Sequence, residues 1–463
     1  MTNTMSTKQN LNQAMLLAAL LFYGIAGEAQ INTATPAITA AVAAGNIHSM
    51  FVYRSLKHTS SDGGDLYTMG YNQYGQLGVG TDFYRTNQVY GIITYVTAVA
   101  AGNNHSLFIR YDGSLWGMGD NEYGQLGDGT TNNSFFFEDL AVGVTAISAG
   151  SQSDHSLIIK NDGSLWAMGR NQYGQLGDGT VNNINHTEQI RSSGVIAIAA
   201  GATHSLFIVS NSVFTSGGLF AMGNNQSGQL GDGTTNNHSF YEWTGLQGVK
   251  SIAAGFNHSL FLKSDGSLWG MGDNSYGELG AGLLAFTNSP FQIVASNVVA
   301  IAAGWGNSFF IKTDGSLWAM GNNILGELGD GTQNNTNLPE RIVSSGVTAI
   351  AAGTYHTLFV MTDGSLWGMG DGFYGELGGG TNIYGNTAVT RPVQILAGAP
   401  PTLGISIYGN SPAVFFPTAS GTNYVLQMTT NLVSGNWVAV SNGIPINGLI
   451  ITNPPANAFF RLQ

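Results

Sequence analysis

Six histidines stand at matching places in this chain, and histidine is the side chain best suited to bind a metal or move a proton near neutral pH. His48, His105, His155, His204, His258 and His356 each follow a glycine, mostly in the string Ala-Ala-Gly-x-x-His-Ser. A further copy opens at Gly304 and carries Asn307 where the histidine belongs. A metal needs several ligands converging on one ion. These histidines recur roughly every fifty residues, one per copy, so the pattern distributes them instead of gathering them. Asparagine can hydrogen-bond but neither transfers a proton nor replaces imidazole as a ligand. The set is therefore expected to be structural, each ring held by a hydrogen bond.

The other repeated polar groups give no catalytic constellation. Loops such as Gly124–Thr130 and Gly174–Thr180 (Gly-Gln-Leu-Gly-Asp-Gly-Thr) lack the lysine and following helix of a phosphate cradle. Asp128, Thr130 and Asn132 alternate oxygens as a calcium loop does, without the closing bidentate glutamate. There is no cysteine, hence no thiol nucleophile or disulfide. No catalytic residue, metal or cofactor is expected.

What would position these residues is a repeat. Each copy carries three blocks: the Gly-x-x-His string, then Asp-Gly-Ser-Leu-Trp-x-Met-Gly (Asp112–Gly119 and four more), then Gly-Gln/Glu-Leu-Gly at Gly75, Gly124, Gly174, Gly228, Gly277, Gly326 and Gly375. Ala and Gly suit a crowded inner strand, and a nearly continuous apolar second strand suits a sheet covered on both faces. Asp-Gly predicts a two-residue hairpin turn with both central residues at positive φ. Pro290, Pro339 and the Pro after Arg391 suit an outer edge strand, where no ladder donor is needed. Four antiparallel strands seven times over predict a seven-bladed β-propeller with almost no helix. The block order resembles the regulator-of-chromosome-condensation repeat, from Ile31 to about Gly398. The resemblance implies that fold and a habit of binding proteins through loops on one face, with no specific activity. How the ring closes stays open: each blade is self-contained, or Ile31–Ala41 completes the last one.

Three domains are expected: a signal peptide at 1–29, the propeller at 30–398, and a small β-sandwich-like module at 399–463. The first rests on Lys8, the apolar run Ala14–Ile25 and the small residues Ala26–Ala29. The last rests on strand-like segments at 424–427, 437–440, 449–452 and 459–463 after the Ala399-Pro-Pro break. Export from a bacterial cell, to the medium or the envelope, is the expected localisation. A formal charge of −12, with 14 scattered Lys and Arg, argues against nucleic acid. The expected partner is a protein or a surface glycan. Residues that break the repeat mark where it would bind: Phe256, Trp305 and Tyr355 at the variable site before the histidine, and Ile324, Leu325 and Phe373 at the variable site before Gly-Gln/Glu. The function expected is thus a secreted or surface protein-interaction module; the alternative is a carbohydrate-active or other hydrolytic enzyme with a loop-built site.

Overall fold

The computed structural model describes residues 38–54, 63–80, 85–378 and 388–397, together with strands between 404 and 462. The expected signal segment, 1–29, lies outside the described residues. Ala37–Gly398 form one compact unit. In it β1 (Ile38–Ala44), β2 (His48–Arg54) and β3 (Gly64–Tyr71) pair antiparallel in sequence order, and β4 (Arg85–Ala101) completes the first blade. β4 works twice. Beyond the bend at Tyr95, whose φ is 65°, Val96–Ala101 become the inner strand of blade two against β5 (His105–Arg110), followed by β6 (Leu115–Gly119) and β7 (Ser134–Ala141). Five further four-stranded sheets span residues 144–191, 195–243, 249–294, 298–343 and 347–396. The expected all-β, seven-bladed propeller is what the chain forms, and no helix occurs among the described residues.

The core lies between blades, because each sheet is too thin to bury its apolar faces alone. The second strand of each blade is buried along almost its whole length, as in His105-Ser-Leu-Phe-Ile. Leu107, Ile109, Leu115 and Leu126 of blade two pack against Val144, Ile158 and Met168 of blade three. The same seam closes the ring: Phe51 and Met69 of blade one pack with Leu358, Val360, Leu366 and Leu377 of blade seven. Since Ile38–Ala44 pair within blade one and Val389–Leu396 complete blade seven, the blades are self-contained. Pro290, Pro339 and Pro392 fall on outer strands.

The hairpin turn differs from the sequence expectation. Gly113 has φ of 77°, whereas among the described non-glycine residues only Tyr95 and Asn297 have positive φ, so Asp112 does not. Gly113 N–H bonds Arg110 O, and Arg110 N–H bonds Ser114 O: a type I turn closed by a glycine bulge. The residue that decides it is the serine. Trp116 Nε1 donates to Ser114 Oγ (2.8 Å), which donates to Asp112 Oδ1 (2.6 Å), a chain repeated in five blades.

Beyond the propeller, strands at Gly404–Tyr408, Ser411–Phe415 and Leu449–Ile450 form one three-stranded sheet, and Leu426–Thr429, Val438–Ser441 and Phe459–Leu462 another. The first two strands have no counterpart in the sequence reading.

Candidate functional site

The histidines form a girdle. Each stands first in the second strand of its blade and reaches across the seam to the serine at the second position of the next blade's second strand. His48 Nε2 meets Ser106 Oγ at 2.9 Å, and the contact recurs from His105, His155, His204 and His258 to Ser156, Ser205, Ser259 and Ser308 at 2.7–3.0 Å. His356 closes the circle on Ser49 at 2.8 Å. In five of these seams the serine hydroxyl also donates to the carbonyl of the preceding Gly-Gln/Glu block, as Ser106 does to Gln76 O at 2.7 Å. Its one proton being spent there, the imidazole must donate from Nε2, which assigns the tautomer. Burial lowers the pKa of all six to about 3 or 4, so the rings are neutral near pH 7. The preceding glycine makes room: a Cβ on Gly102 would stand 2.2 Å from His105 Cε1.

Asn307 corrects one expectation. It does not take over the hydrogen bond, because its amide is shorter than an imidazole, and both Oδ1 and Nδ2 are buried without a partner. Thr357, in the serine's place across that seam, bonds Glu327 O instead.

The Asp-Gly-Thr loops are self-contained turns. Asp128 Oδ1 accepts from Thr130 N–H (2.8 Å) and Asn121 Nδ2 (3.0 Å), and Asn121 Oδ1 accepts from Leu126 N–H (2.9 Å). Among the described residues no three His, Asp or Glu side chains gather to hold an ion.

Above the girdle, the Gly-x-x-His loops and the Asn-x-x-Gly-Gln/Glu loops make one rim, and here the blades diverge. In blades one to three the rim is a chain of amides and ions. Asn46 Nδ2 donates to Asn103 Oδ1 (2.9 Å), Asn103 Nδ2 to Asp154 Oδ1 (3.0 Å), and Arg170 pairs with Asp154 Oδ2 (3.1 Å). In blades five to seven it is a chain of rings. Trp305 lies 6.3 Å from Phe256, 5.1 Å from Tyr276 and 5.9 Å from Tyr355, centroid to centroid. All four are half-buried, and Ile324 and Phe373 are about half exposed beside them, with Leu325 half-buried. Phe256, Trp305 and Tyr355 do not occupy one equivalent site. Phe256 and Trp305 directly follow their glycines, whereas Tyr355 directly precedes its histidine, and the rings converge across that offset.

Blade three carries two extra residues in its loop, and Ser151 O accepts from Thr354 Oγ1 of blade seven at 3.4 Å, so this loop reaches across the ring. Sequence reasoning also passed over the glutamates. In blades one to four a glutamine Oε1 accepts the N–H two residues before it, as Gln125 does from Tyr123 (3.0 Å). Glu278, Glu327 and Glu376 make the same bond at 2.7–2.9 Å in blades five to seven. They are at most 2% exposed, and burial raises their pKa to about 7, 7 and 8. The signal was present as the Gln-to-Glu change in the third block, read as one interchangeable position.

Seven self-contained blades, sealed by packing and a histidine–serine girdle and crowned by variable loops, define a propeller built to display a rim. The chain belongs to the Regulator of chromosome condensation (RCC1) repeat family. One model of that repeat matches residues 63–109, 112–159, 162–208, 216–262, 265–311 and 314–360; a second matches 96–125, 144–175, 249–278, 298–327 and 347–376. Among solved structures, yeast RCC1 (Prp20) bound to Kap60 is similar at 21% identity and TM-score 0.63, covering 72% of this chain and 84% of that one. Prp20p of Saccharomyces cerevisiae alone is similar at 22% identity and TM-score 0.63, covering 72% and 86%. Human WBSCR16 is similar at 22% identity and TM-score 0.62, covering 72% and 93%. At these identities the likeness concerns the fold. No curated protein sequence matches the chain.

Proposed function

We propose that this protein is an exported or cell-surface interaction module that holds a protein partner on the rim of blades five to seven. The observation that carries it is the run of rings from Phe256 through Trp305 to Tyr355, flanked by exposed Ile324 and Phe373. Interfaces concentrate their energy in a few such aromatics. The solved relatives support a binding role, since yeast RCC1 is bound to Kap60 and Prp20p has binding properties toward Gsp1p and histones. The apolar run Ala14–Ile25 followed by small residues supports export.

The hydrolytic alternative finds its nearest candidates in the three buried glutamates, whose raised pKa a general acid needs. Each is closed off from solvent and spends one oxygen on a backbone N–H, so none presents a carboxyl to a substrate at the rim.

The test is a pull-down from secreted and envelope fractions with the purified protein and its Trp305→Ala variant. Truncation at an interface hot spot lowers affinity at least about tenfold. A variant that melts far lower yet keeps its partner would identify Trp305 as inter-blade packing. Export is checked separately by N-terminal sequencing of the native protein: a start near residue 30 is expected, and a start at Met1 would contradict it.

A further inference from the structure

We infer that the rim of blades five to seven receives a lysine or arginine side chain of the partner, seated on Trp305 and Tyr355 above the carboxyl groups of the same blades. This deepens the proposed function and rests on it.

Two independent departures from the repeat coincide here. Phe256, Trp305 and Tyr355 break the repeat in blades five to seven, and the glutamates do so in the same blades, whereas Tyr276 stands where Tyr74, Tyr123 and Tyr173 stand in blades one to three. Glutamine makes the same backbone bond in blades one to four, so the scaffold does not require a carboxyl group at that place. The loops that build this part of the rim contain Asp273, Glu278, Glu327, Asp371 and Glu376 and no Lys or Arg. The matching loops of blades one to three contain Asp120, Glu122 and Asp154, and there Arg170 is paired with Asp154. The lysines Lys263 and Lys312 stand at the hairpin ends of their blades, over Trp269 and Trp318.

The pKa of Tyr355 is raised first by its burial and then by the nearby Glu327 carboxyl, whose Oε1 is fully buried without a partner. Asp371 flanks the same ring, its N–H bonded to Tyr355 O at 2.7 Å. An aromatic face attracts a cation through its quadrupole, and tryptophan does so best. Asp371 beside the ring adds to that attraction, and a cation seated above Glu327, whose pKa burial raises to about 7, draws that carboxyl further into its ionised form and is held by it in turn. Past Tyr276 the rim opens into a cleft of about 820 Å³, lined mostly by amides and hydroxyls and including Asp330 and Glu340, with room for the neighbouring residues of a basic segment; the Arg391 guanidinium lies against Gly331 beside it.

The experiment is a fluorescence titration of the full chain with acetyl-Gly-Arg-Gly-Arg-Gly-amide and with its glutamine counterpart. The arginine peptide is expected to bind about tenfold more tightly than the glutamine peptide. Trp305→Ala and Glu327→Gln should each erase most of that preference, while Asn103→Ala, on the polar side of the rim, keeps it. Glutamine at 327 is what four other blades carry, so that variant folds. An arginine peptide that binds Trp305→Ala undiminished, or a glutamine peptide that binds as well as arginine, overturns the inference. If the arginine preference is absent while Trp305→Ala still loses the pulled-down partner, the charge preference falls and the partner-binding rim stands. If Trp305→Ala keeps the partner, both fall.

Discussion

Blades one to three finish their rim with amides, and blades five to seven finish theirs with rings. Beneath both arcs the construction is the same but for one seam: an inner strand ending in small residues, a histidine over a glycine, a serine across the seam, with Asn307 and Thr357 in the last two places between blades six and seven. The amide arc is internally satisfied, because Asn46, Asn103, Asp154 and Arg170 bond one another in a row. The aromatic arc has no such closure. Its rings touch each other but leave apolar neighbours in solvent, over glutamates held in their least favourable environment. A repeat provides its own control. What every blade shares is what the ring needs to stand, and what three adjacent blades alone carry calls for a local cause.

The largest effect that separates shared from local features is the dependence of stability on pH. The histidines belong to the whole ring. Their folded pKa of about 3 or 4 lies below the ordinary 6.5, so below that value the unfolded chain takes up protons the folded chain refuses. Stability is full above pH 6.5 and falls as pH drops toward 4, by about 1.4 kcal/mol per unit for each histidine. The glutamates belong to the aromatic arc only, and their sign is opposite. Folded values of about 7 to 8 exceed the ordinary 4.5, so stability is lost as pH rises from 4.5 toward 8. The melting temperature should therefore peak a little below neutrality. Replacing Glu278, Glu327 and Glu376 together with Gln should flatten the alkaline limb and steepen the acid limb between pH 4.5 and 6.5, where the two sets oppose each other. An alkaline limb that survives the triple replacement would remove the glutamates as its cause.

The next effect sharpens what the girdle is worth. His258→Ala strands Ser308 and opens a cavity, and should destabilise by about 2–4 kcal/mol. Because Asn307 fails to bridge its own seam, His258→Asn should do no better than Ala. The complementary replacement, Asn307→His, supplies the missing contact to Thr357 and should raise stability by about 1 kcal/mol. Thermal unfolding of the three variants checks this. An Asn at 258 that melts like the unmodified protein would show that the seam is held by packing alone.

The fold was legible because its information is repeated: seven copies of three blocks outweigh any single ambiguous segment. What failed to show were geometries that hang on one side chain. The Asp-Gly turn was misjudged because the following Ser114 ties the turn to Trp116, and that network favours a type I turn with a glycine bulge. Asn307 seemed interchangeable with histidine by chemistry, whereas its reach decides the outcome. The Gly-x-x-His loop offers two variable positions; that Trp305 and Tyr355 stand at different ones can be counted in the sequence, but that their rings still meet cannot. The glutamates were in view as Gly-Glu-Leu-Gly, but nothing in the letters says that the position is fully buried. Without that burial the exchange from Gln looks neutral.

The smallest expected effect bears on the amide arc and is the strictest check of the comparison. Asn103→Ala removes the link between Asn46 and Asp154, leaving Arg170 to neutralise the carboxylate. Those groups sit at the rim, where water can replace a lost partner, so the stability change should stay near 1 kcal/mol or below. Partner binding should change by less than about twofold, because no ring is disturbed and the aromatic arc lies across the ring. The variant is thus a matched counterpart to Trp305→Ala: same loop, same place in the repeat, different arc. Equal loss of partner from both variants would mean that the whole rim is the contact surface and that the division into a structural and a binding arc is wrong. Loss from Trp305→Ala alone would fix recognition to the side where the repeat was abandoned.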